Sequence, residues 1–216
     1  MRKVLALSAI LLLVPLLTGP SLLPSIHVES EGVRYKAFCV SGYKEKEFFE
    51  HLLPLGDLIS RGEGDWNAVN RGYAGDTPGG IQSLTGGKTF ENYTVRQVME
   101  LQRTWLYAVG RYQFIPSTLR LAVRYSSVTE LDMFTPETQN RLFAALVEYK
   151  RPAVGAYLRG YHDYLGWALD EVAKEWASVE YRSGRGFYDH IGGNRASITR
   201  AEVATILQTI RTELTK

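Results

Sequence analysis

The sequence predicts a mainly α (α+β) fold with a small β-hairpin or loop region and an apolar segment at the N-terminus. Apolar residues recur at helical spacing through most of the chain after residue 45. The exception is residues 64–92, which are rich in Gly, Asn, Asp and Thr. The 216 residues are 45% hydrophobic and 22% charged, which is the composition of one ordinary globular domain with a tail.

Charge and metal-binding residues exclude several function classes. The net charge is only +2 and no basic stripe is present, so we expect no nucleic-acid partner. Cys39 is the only cysteine, which excludes an intrachain disulfide and a cysteine-based zinc site. The four histidines are scattered along the chain and are expected to be structural: His27, His51, His162 and His190. We therefore expect neither a metal nor another cofactor.

Residues 1–26 have the pattern of an export signal. Arg2 and Lys3 precede an apolar run over residues 4–17, and small, turn-forming residues follow it. No Ala-x-Ala cleavage site is present, so a cleaved signal peptide and an uncleaved signal anchor both remain open. A spanning helix needs about 20 apolar residues, and three prolines interrupt the longer run over residues 4–26. We expect export to the periplasm, with the chain either released there or anchored in the inner membrane facing the periplasm.

The first half of the remaining chain divides into three segments. Residues 27–44 form a polar connector with some strand character. Residues 45–61 have helical spacing of apolar side chains, but Pro54 must kink or split that helix. Residues 64–92 are a long irregular segment in which a hairpin is plausible, and such long loops in compact domains are usually functional.

The second half is predicted to be helical, with recognisable start signals. Thr94 caps a short helix to Arg103, and Thr135-Pro136-Glu137 combines a cap, a first-turn proline and an acidic first turn. A further helix is predicted over residues 162–178. The last begins at Thr199, where Glu202 completes a capping box. With no internal repeat, residues 45–216 are predicted to form one domain.

Glu63 is the strongest catalytic candidate. A helical run ends here because Gly62 and Gly64 bracket the residue, and glycine favours the helix C-terminus. A single carboxylate beside amide and aromatic side chains is typical of glycosidic acid catalysis and sugar binding. The alternative is a solvated Glu after a helix cap. The neighbouring polar and aromatic residues are Trp66, Asn67, Asn70 and Tyr73.

Two further stretches have candidate functional residues. In Gly110-Arg111-Tyr112-Gln113 the glycine allows close backbone approach, and the Gln113 amide can both donate to and accept from an N-acetyl or hydroxyl group. An ordinary turn before the helix at Pro116 is the alternative. The other stretch is Trp176-Ala177-Ser178, followed by a Gly-rich loop. Trp176 fits the apolar stripe of its own helix, whereas the loop is expected to face a ligand.

In combination and order, Glu63, the Gly-Arg-Tyr-Gln tetrapeptide and the Trp-Ala-Ser element resemble the phage lambda endolysin family of murein lytic transglycosylases. The resemblance covers about residues 45–212. It implies a lysozyme-like catalytic domain over residues 45–216, with peptidoglycan glycan strands as substrate and Glu63 as the catalytic acid. We expect substrate-binding residues at Tyr112, Gln113, Asn70, Tyr73 and Arg111, and a monomeric enzyme.

The chain departs from that family at two points. Its Glu63 follows Gly62, where the family has a serine before the catalytic glutamate. Its N-terminal apolar segment, expected to engage the membrane, has no counterpart in the lambda protein, which depends on a holin to reach the wall.

The number of carboxylates distinguishes the possible reactions. Hydrolysis of a glycoside ordinarily uses two carboxylates. A lytic transglycosylase needs only one carboxyl group. That group first protonates the glycosidic oxygen and then deprotonates the C6 hydroxyl of N-acetylmuramic acid. The pKa of Glu63 must then be raised by an apolar pocket, for which Trp66, Tyr73 and Tyr112 are candidates.

Three acidic residues are candidates for a second carboxylate. Asp65 and Asp76 are expected to be structural residues of turns, and Glu91 is more remote. Between the two reactions, the resemblance to the lambda endolysin family favours lytic transglycosylase activity. The alternatives are a hydrolytic muramidase acting on the same bond and a non-catalytic glycan-binding module of an envelope or virion.

Overall fold

The computed structural model describes residues 28–30, 33–35, 48–191 and 194–216. For these residues the prediction of a mainly α fold is confirmed, because helices predominate and the strands form only small two-stranded sheets. The predicted signal, residues 1–26, lies outside the described residues. None of the helices in the described ranges has the length and apolar character that a membrane crossing requires.

By internal contacts, the chain divides into residues 1–36 and residues 37–216. In the first unit, strands β1 (Val28–Ser30) and β2 (Val33–Tyr35) pair in antiparallel register. Part of the strand character predicted for the connector is therefore present.

The second unit contains eight α-helices beyond residue 52 in the described part of the chain. They are α1 (Leu53–Glu63), α2 (Gly80–Thr85), α3 (Val95–Thr104), α4 (Pro116–Tyr125), α5 (Pro136–Ala145), α6 (Pro152–Leu158), α7 (Leu165–Glu175) and α8 (Arg200–Leu214). Shorter helical segments are the 3₁₀ turns Gly72–Ala74 and Phe90–Asn92 and the π-helix Leu146–Lys150. The strands are β3 (Val69–Asn70), β4 (Ala108–Val109), β5 (Glu180–Arg182) and β6 (Arg185–Gly186).

The predicted helix starts are largely where the capping signals place them. The Thr94 and Thr199 side chains each accept a hydrogen bond from the third helical residue, completing capping boxes with Gln97 and Glu202. Pro54 splits the first run as predicted, because residues 48–51 are helical and α1 begins again at Leu53.

The helix predicted over residues 162–178 is shorter at both ends. His162 Nδ1 accepts the Tyr164 N–H, which forms a turn, and α7 begins only at Leu165. At the other end, Trp176 has an extended backbone, so Trp176-Ala177-Ser178 leads out of the helix toward β5. The Val179 N–H donates to the Trp176 carbonyl at 3.2 Å, so the Trp-Ala-Ser element lies outside the helix in a turn between α7 and β5.

The irregular segment 64–92 contains a short hairpin-like pairing over residues 69–77, and its strand also pairs outside the segment. Its strand β3 pairs with β4, which lies almost 40 residues later in the sequence, in the register Val69 to Val109 and Asn70 to Ala108. Within the segment an antiparallel bridge joins Asn70 to Asp76, and two backbone hydrogen bonds flank it: Arg71 N–H to the Gly75 carbonyl and Thr77 N–H to the Val69 carbonyl, both at 2.9 Å. The β3–β4 pairing brings residues 110–113 next to the loop after Glu63.

The core beneath this pairing is aromatic. The Tyr112 ring stacks on Phe143 with centroids 4.3 Å apart and meets the edge of Phe114 at 5.9 Å. Trp176 packs on the other side of Phe143 at 5.1 Å, which confirms its predicted core role. These contacts join the Gly-Arg-Tyr-Gln and Trp-Ala-Ser stretches through α5.

Gly110 is predicted to be essential for stability, since its φ is +74° and a Cβ would lie 2.5 Å from the Gln139 Oε1. Gly184 has the same φ, but a Cβ there would meet no atom within 4 Å outside the adjacent residues. We expect Gly110→Ala to lower the free energy of unfolding by about 2–4 kcal/mol and Gly184→Ala by about 1 kcal/mol. Chemical denaturation measures both, and equal losses would contradict the steric explanation.

Candidate active site

Glu63 is the last residue of α1, as predicted. Gly64 follows with φ +144°, a conformation that favours glycine, and its N–H still donates to the Ser60 carbonyl at 3.0 Å. The chain therefore turns away immediately after Glu63. The side chain is left partly buried at the helix end.

Ser178 holds the Glu63 carboxyl group. Its Oγ donates to Glu63 Oε1 at 2.7 Å, and its backbone N–H donates to the same oxygen at 3.1 Å. Ser178 is itself buried, and its carbonyl accepts the N–H groups of Ser197 and Ile198. Glu63 and Ser178 are 115 residues apart in the sequence. The two predicted stretches that contain them thus meet through hydrogen bonds to the Glu63 carboxyl group.

Gly62 makes this approach possible. A Cβ at position 62 would lie 2.3 Å from Ser178 Cβ and 2.8 Å from Ser197 Oγ, both far inside van der Waals contact. The family resemblance placed a serine at this position, where this chain has glycine. In this chain, close packing against Ser178 explains the glycine.

The third predicted stretch reaches Gly64, the residue that follows Glu63. The Gly110 N–H donates to the Ala68 carbonyl at 2.8 Å, which continues the β3–β4 pairing. Gln113 has a positive φ of 48°, uncommon for a residue with a side chain, and its Nε2 donates to the Gly110 carbonyl at 3.1 Å. A Cβ at Gly64 would lie 3.9 Å from the same Nε2. The predicted cleft residue Gln113 therefore lies beside the catalytic candidate.

Tyr112 does not line a cleft, and its predicted role in substrate binding is wrong. Its side chain is 2% exposed because the ring is enclosed by the aromatic core, and its hydroxyl donates to Asn140 Oδ1 at 2.5 Å. Burial raises the pKa of the Tyr112 hydroxyl. The tyrosine supports the site from beneath.

The guanidinium of Arg111, another predicted sugar-binding residue, has internal partners. It donates to Asp57 Oδ1 at 2.6 Å and Ser60 Oγ at 3.0 Å, and lies over the Trp66 ring at 4.3 Å. These contacts fasten the 110–113 turn to α1. Arg111 is thus a brace between helix and turn, which differs from its predicted role.

Asn70 is also committed to local structure, whereas Tyr73 is free to contact a ligand. The Asn70 Nδ2 donates to Asp76 Oδ1 at 2.8 Å, and its Oδ1 accepts the Gly72 N–H at 2.7 Å. Tyr73 projects fully into solvent from the 3₁₀ turn. Asp65 caps a turn as predicted, since its Oδ1 accepts the Asn67 N–H at 2.7 Å.

Burial is the main influence on the ionisation of Glu63. Desolvation raises the pKa of its carboxyl group above the ordinary value of 4.5, and the hydrogen bonds from Ser178 partly oppose that shift. The negative charge of Asp76 raises the pKa further. Glu63 therefore has the environment of a general acid.

A second carboxylate that influences Glu63 is paired with two cations. This is Glu175, whose negative charge also raises the pKa of Glu63. The Glu175 side chain is only 4% exposed and is paired with Lys150 Nζ at 2.6 Å and Arg151 Nε at 2.8 Å. Because both oxygens have cationic partners, Glu175 is a structural ion-pair residue at the end of α7.

Gln139 is a site-supporting residue that the sequence prediction missed. It is fully buried; its Nε2 donates to the carbonyls of Trp66 and Phe134, and its Oε1 accepts the Arg111 N–H at 2.9 Å. One side chain thus connects α5 to both loops. Its spacing of three and four residues from Leu142 and Phe143 was the available signal, because such residues share a helix face.

Within the described ranges, no three His, Cys, Asp or Glu side chains are grouped in a way that could hold a metal ion. Comparisons of the chain with protein-family models, curated proteins and solved structures found no match.

The raised pKa of Glu63 predicts that the difference in free energy of unfolding between wild type and Glu63→Gln depends on pH. The folded state binds the proton more tightly than the unfolded state, so the free energy of unfolding should fall as the pH rises through 4.5 toward the raised pKa. Glu63→Gln removes this cost and keeps an acceptor for Ser178. We expect it to be at least as stable as wild type at neutral pH, with the advantage lost below pH 4.5.

Denaturation at several pH values provides the measurement, and the exposed Glu91→Gln is the control. The prediction would be contradicted if Glu63→Gln were less stable than wild type at neutral pH and less stable by the same amount in acid.

Proposed function

We propose that this chain is a peptidoglycan-degrading, endolysin-like lytic transglycosylase with a lysozyme-like domain. It cleaves the β-1,4 bond between N-acetylmuramic acid and N-acetylglucosamine, with Glu63 as acid and base. The observation that carries the proposal is a buried carboxyl group of raised pKa at the point where the three stretches of the family resemblance meet. The mainly helical fold is compatible with such a domain.

The reaction follows from one carboxyl group. Protonated Glu63 donates its proton to the glycosidic oxygen, and the bond from that oxygen to C1 of N-acetylmuramic acid breaks. The resulting carboxylate takes the proton of the C6 hydroxyl on the same sugar, and O6 bonds to C1 as a 1,6-anhydro ring. Glu63 ends protonated again and no water is consumed. General acid catalysis of this kind contributes about 10²–10⁴-fold to the rate.

Gln113 and Tyr73 are the proposed contacts to the glycan. The Gln113 amide lies beside Gly64, where its donor and acceptor suit the N-acetyl and hydroxyl groups of the substrate. Tyr73 is exposed on the loop after β3 and offers an aromatic face to a sugar ring. The substrate is the polymeric glycan strand, and we propose that the enzyme acts as a monomer.

Hydrolytic muramidase activity is the second candidate, and Asp76 is the observation in its favour. Asp76 is exposed, held by Asn70, and close enough for its charge to raise the pKa of Glu63. An inverting glycosidase uses such a carboxylate to activate water at about 6.5–9.5 Å from the acid. A non-catalytic glycan-binding module is less favoured, because burying an ionisable Glu has a cost that binding alone does not require.

We expect Glu63→Gln to reduce the rate of peptidoglycan solubilisation by about 100-fold or more, because an amide cannot donate the required proton. Under the transglycosylase proposal, Asp76→Asn keeps its activity within about tenfold, with its pH dependence shifted toward acid as the pKa of Glu63 falls. Turbidity assays across a pH range measure both, with Glu91→Gln as control.

Two outcomes would contradict the assignment. A Glu63→Gln protein retaining more than about a tenth of the activity would exclude Glu63 as the acid. An Asp76→Asn protein as inactive as Glu63→Gln at every pH would favour the muramidase.

We also propose that residues 1–26 direct export and take no part in catalysis. A chain beginning at His27 is expected to degrade isolated peptidoglycan, and the full chain to fractionate with the periplasm or inner membrane without a holin. Fractionation of expressing cells is the measurement. A full chain that stays in the cytosol would contradict the export proposal.

A further inference from the structure

We propose that Ser178 is a positioning residue that determines which oxygen of Glu63 carries the catalytic proton. Ser178 donates two hydrogen bonds to Oε1 of Glu63, which leaves Oε2 to bind and deliver the proton. This inference rests on the proposed function and assigns a role to the Trp-Ala-Ser element, which the one-carboxylate reaction leaves without one.

Both hydrogen bonds between Ser178 and Glu63 run in the same direction. Ser178 Oγ and the Ser178 N–H both donate to Oε1, at 2.7 and 3.1 Å. A proton on Oε1 would face the N–H, which can only donate, so that arrangement disfavours protonation there. The proton is therefore expected on the other oxygen.

The other carboxyl oxygen of Glu63, Oε2, is accessible. In the described part of the chain, Oε2 has no hydrogen-bond partner, and it is not among the enclosed side-chain atoms that lack one. It therefore has contact with solvent. Oε2 is placed to exchange a proton with a bound sugar while Oε1 stays anchored.

Ser178 is held in place by the protein itself, without substrate. Its side chain is 5% exposed, and its carbonyl accepts N–H groups from Ser197 at 2.8 Å and Ile198 at 2.9 Å. The absence of a side chain at Gly62 lets Ser178 approach the end of α1. Donors fixed in advance cost no reorganisation during the reaction.

The hydrogen bonds from Ser178 to Glu63 oppose the effect of the surrounding negative charges. Asp76 and Glu175 both act against the charged form of Glu63, whereas the hydrogen bonds from Ser178 favour it. Ser178 thereby stabilises the carboxylate that exists between donation and recovery of the proton. The other charged groups nearby have partners of their own: Glu175 with Lys150 and Arg151, Asp65 with the Asn67 N–H, and Arg61 with Glu202.

The test compares Ser178→Ala with Ser197→Ala in the full chain. Ser197 is a matched control, since its Oγ also lies beside Gly62 but makes no hydrogen bond to Glu63 in the described residues. The pKa of Glu63 is measured from its ¹³C carboxyl resonance, without substrate. The pH dependence of kcat and KM is measured on peptidoglycan, and the thermal midpoint confirms folding.

We expect Ser178→Ala to move the pKa of Glu63 upward and the alkaline limb of kcat/KM with it, because a hydrogen bond to the charged form is lost. We expect kcat to fall about tenfold with little change in KM, since a charged hydrogen bond is worth about that factor or more. Ser197→Ala should match wild type in both measurements.

A Ser178→Ala protein with an unchanged or lowered pKa at Glu63 would overturn the inference, and so would an equal shift in Ser197→Ala. A wild-type protein without activity on peptidoglycan would instead refute the proposed function. The carboxyl titration would then still decide whether Ser178 controls the ionisation of Glu63.

Discussion

The contact between Glu63 and Ser178 is the interaction on which the site depends. It joins the end of α1 to the turn after α7, and it requires a glycine at position 62 because any Cβ would collide with Ser178. The contact satisfies one carboxyl oxygen inside the protein and leaves the other accessible. Without this arrangement, a partly buried Glu at a helix end would have no defined orientation.

The ionisation of Glu63 is a balance between opposing effects. Burial and the charges of Asp76 and Glu175 raise its pKa, and the donors of Ser178 lower it. In the proposed reaction Glu63 serves first as acid and then as base, so it must convert readily between its protonated and ionised forms. Opposing effects of similar size suit this reaction better than strong stabilisation of either form. The pairing of Glu175 with Lys150 and Arg151 limits the influence of that carboxylate.

Much of the fold could be predicted because its signals are local. The capping residues Thr94 and Thr199 start helices where expected, and Pro54 interrupts the first run. The β3–β4 pairing could not be predicted in this way, since strands of two residues have too short a pattern and their partners lie far apart in sequence. The end of α7 before Trp176 was missed because the apolar spacing continues through it.

The position of Glu63 at a helix end could be predicted, but the contacts that surround it could not. Glu63 lies at the helix end and Gln113 lies beside it, as their local sequence indicated. Tyr112 was misassigned because an aromatic ring next to a polar residue suits a cleft and a core equally well, and only the packing on Phe143 decides. Gln139 shows the converse, since a buried amide is recognisable only when the carbonyls it serves are known.

The central claim is that Glu63 alone performs both proton transfers, and the product of the reaction tests it most directly. Purified peptidoglycan is digested by the full chain in ¹⁸O-water, and the released muropeptides are identified by mass spectrometry. The account predicts unlabelled 1,6-anhydro-N-acetylmuramic acid ends, because the C6 hydroxyl closes the ring without water. Reducing N-acetylmuramic acid ends that contain ¹⁸O as the main product would contradict it and assign the second role to a carboxylate such as Asp76.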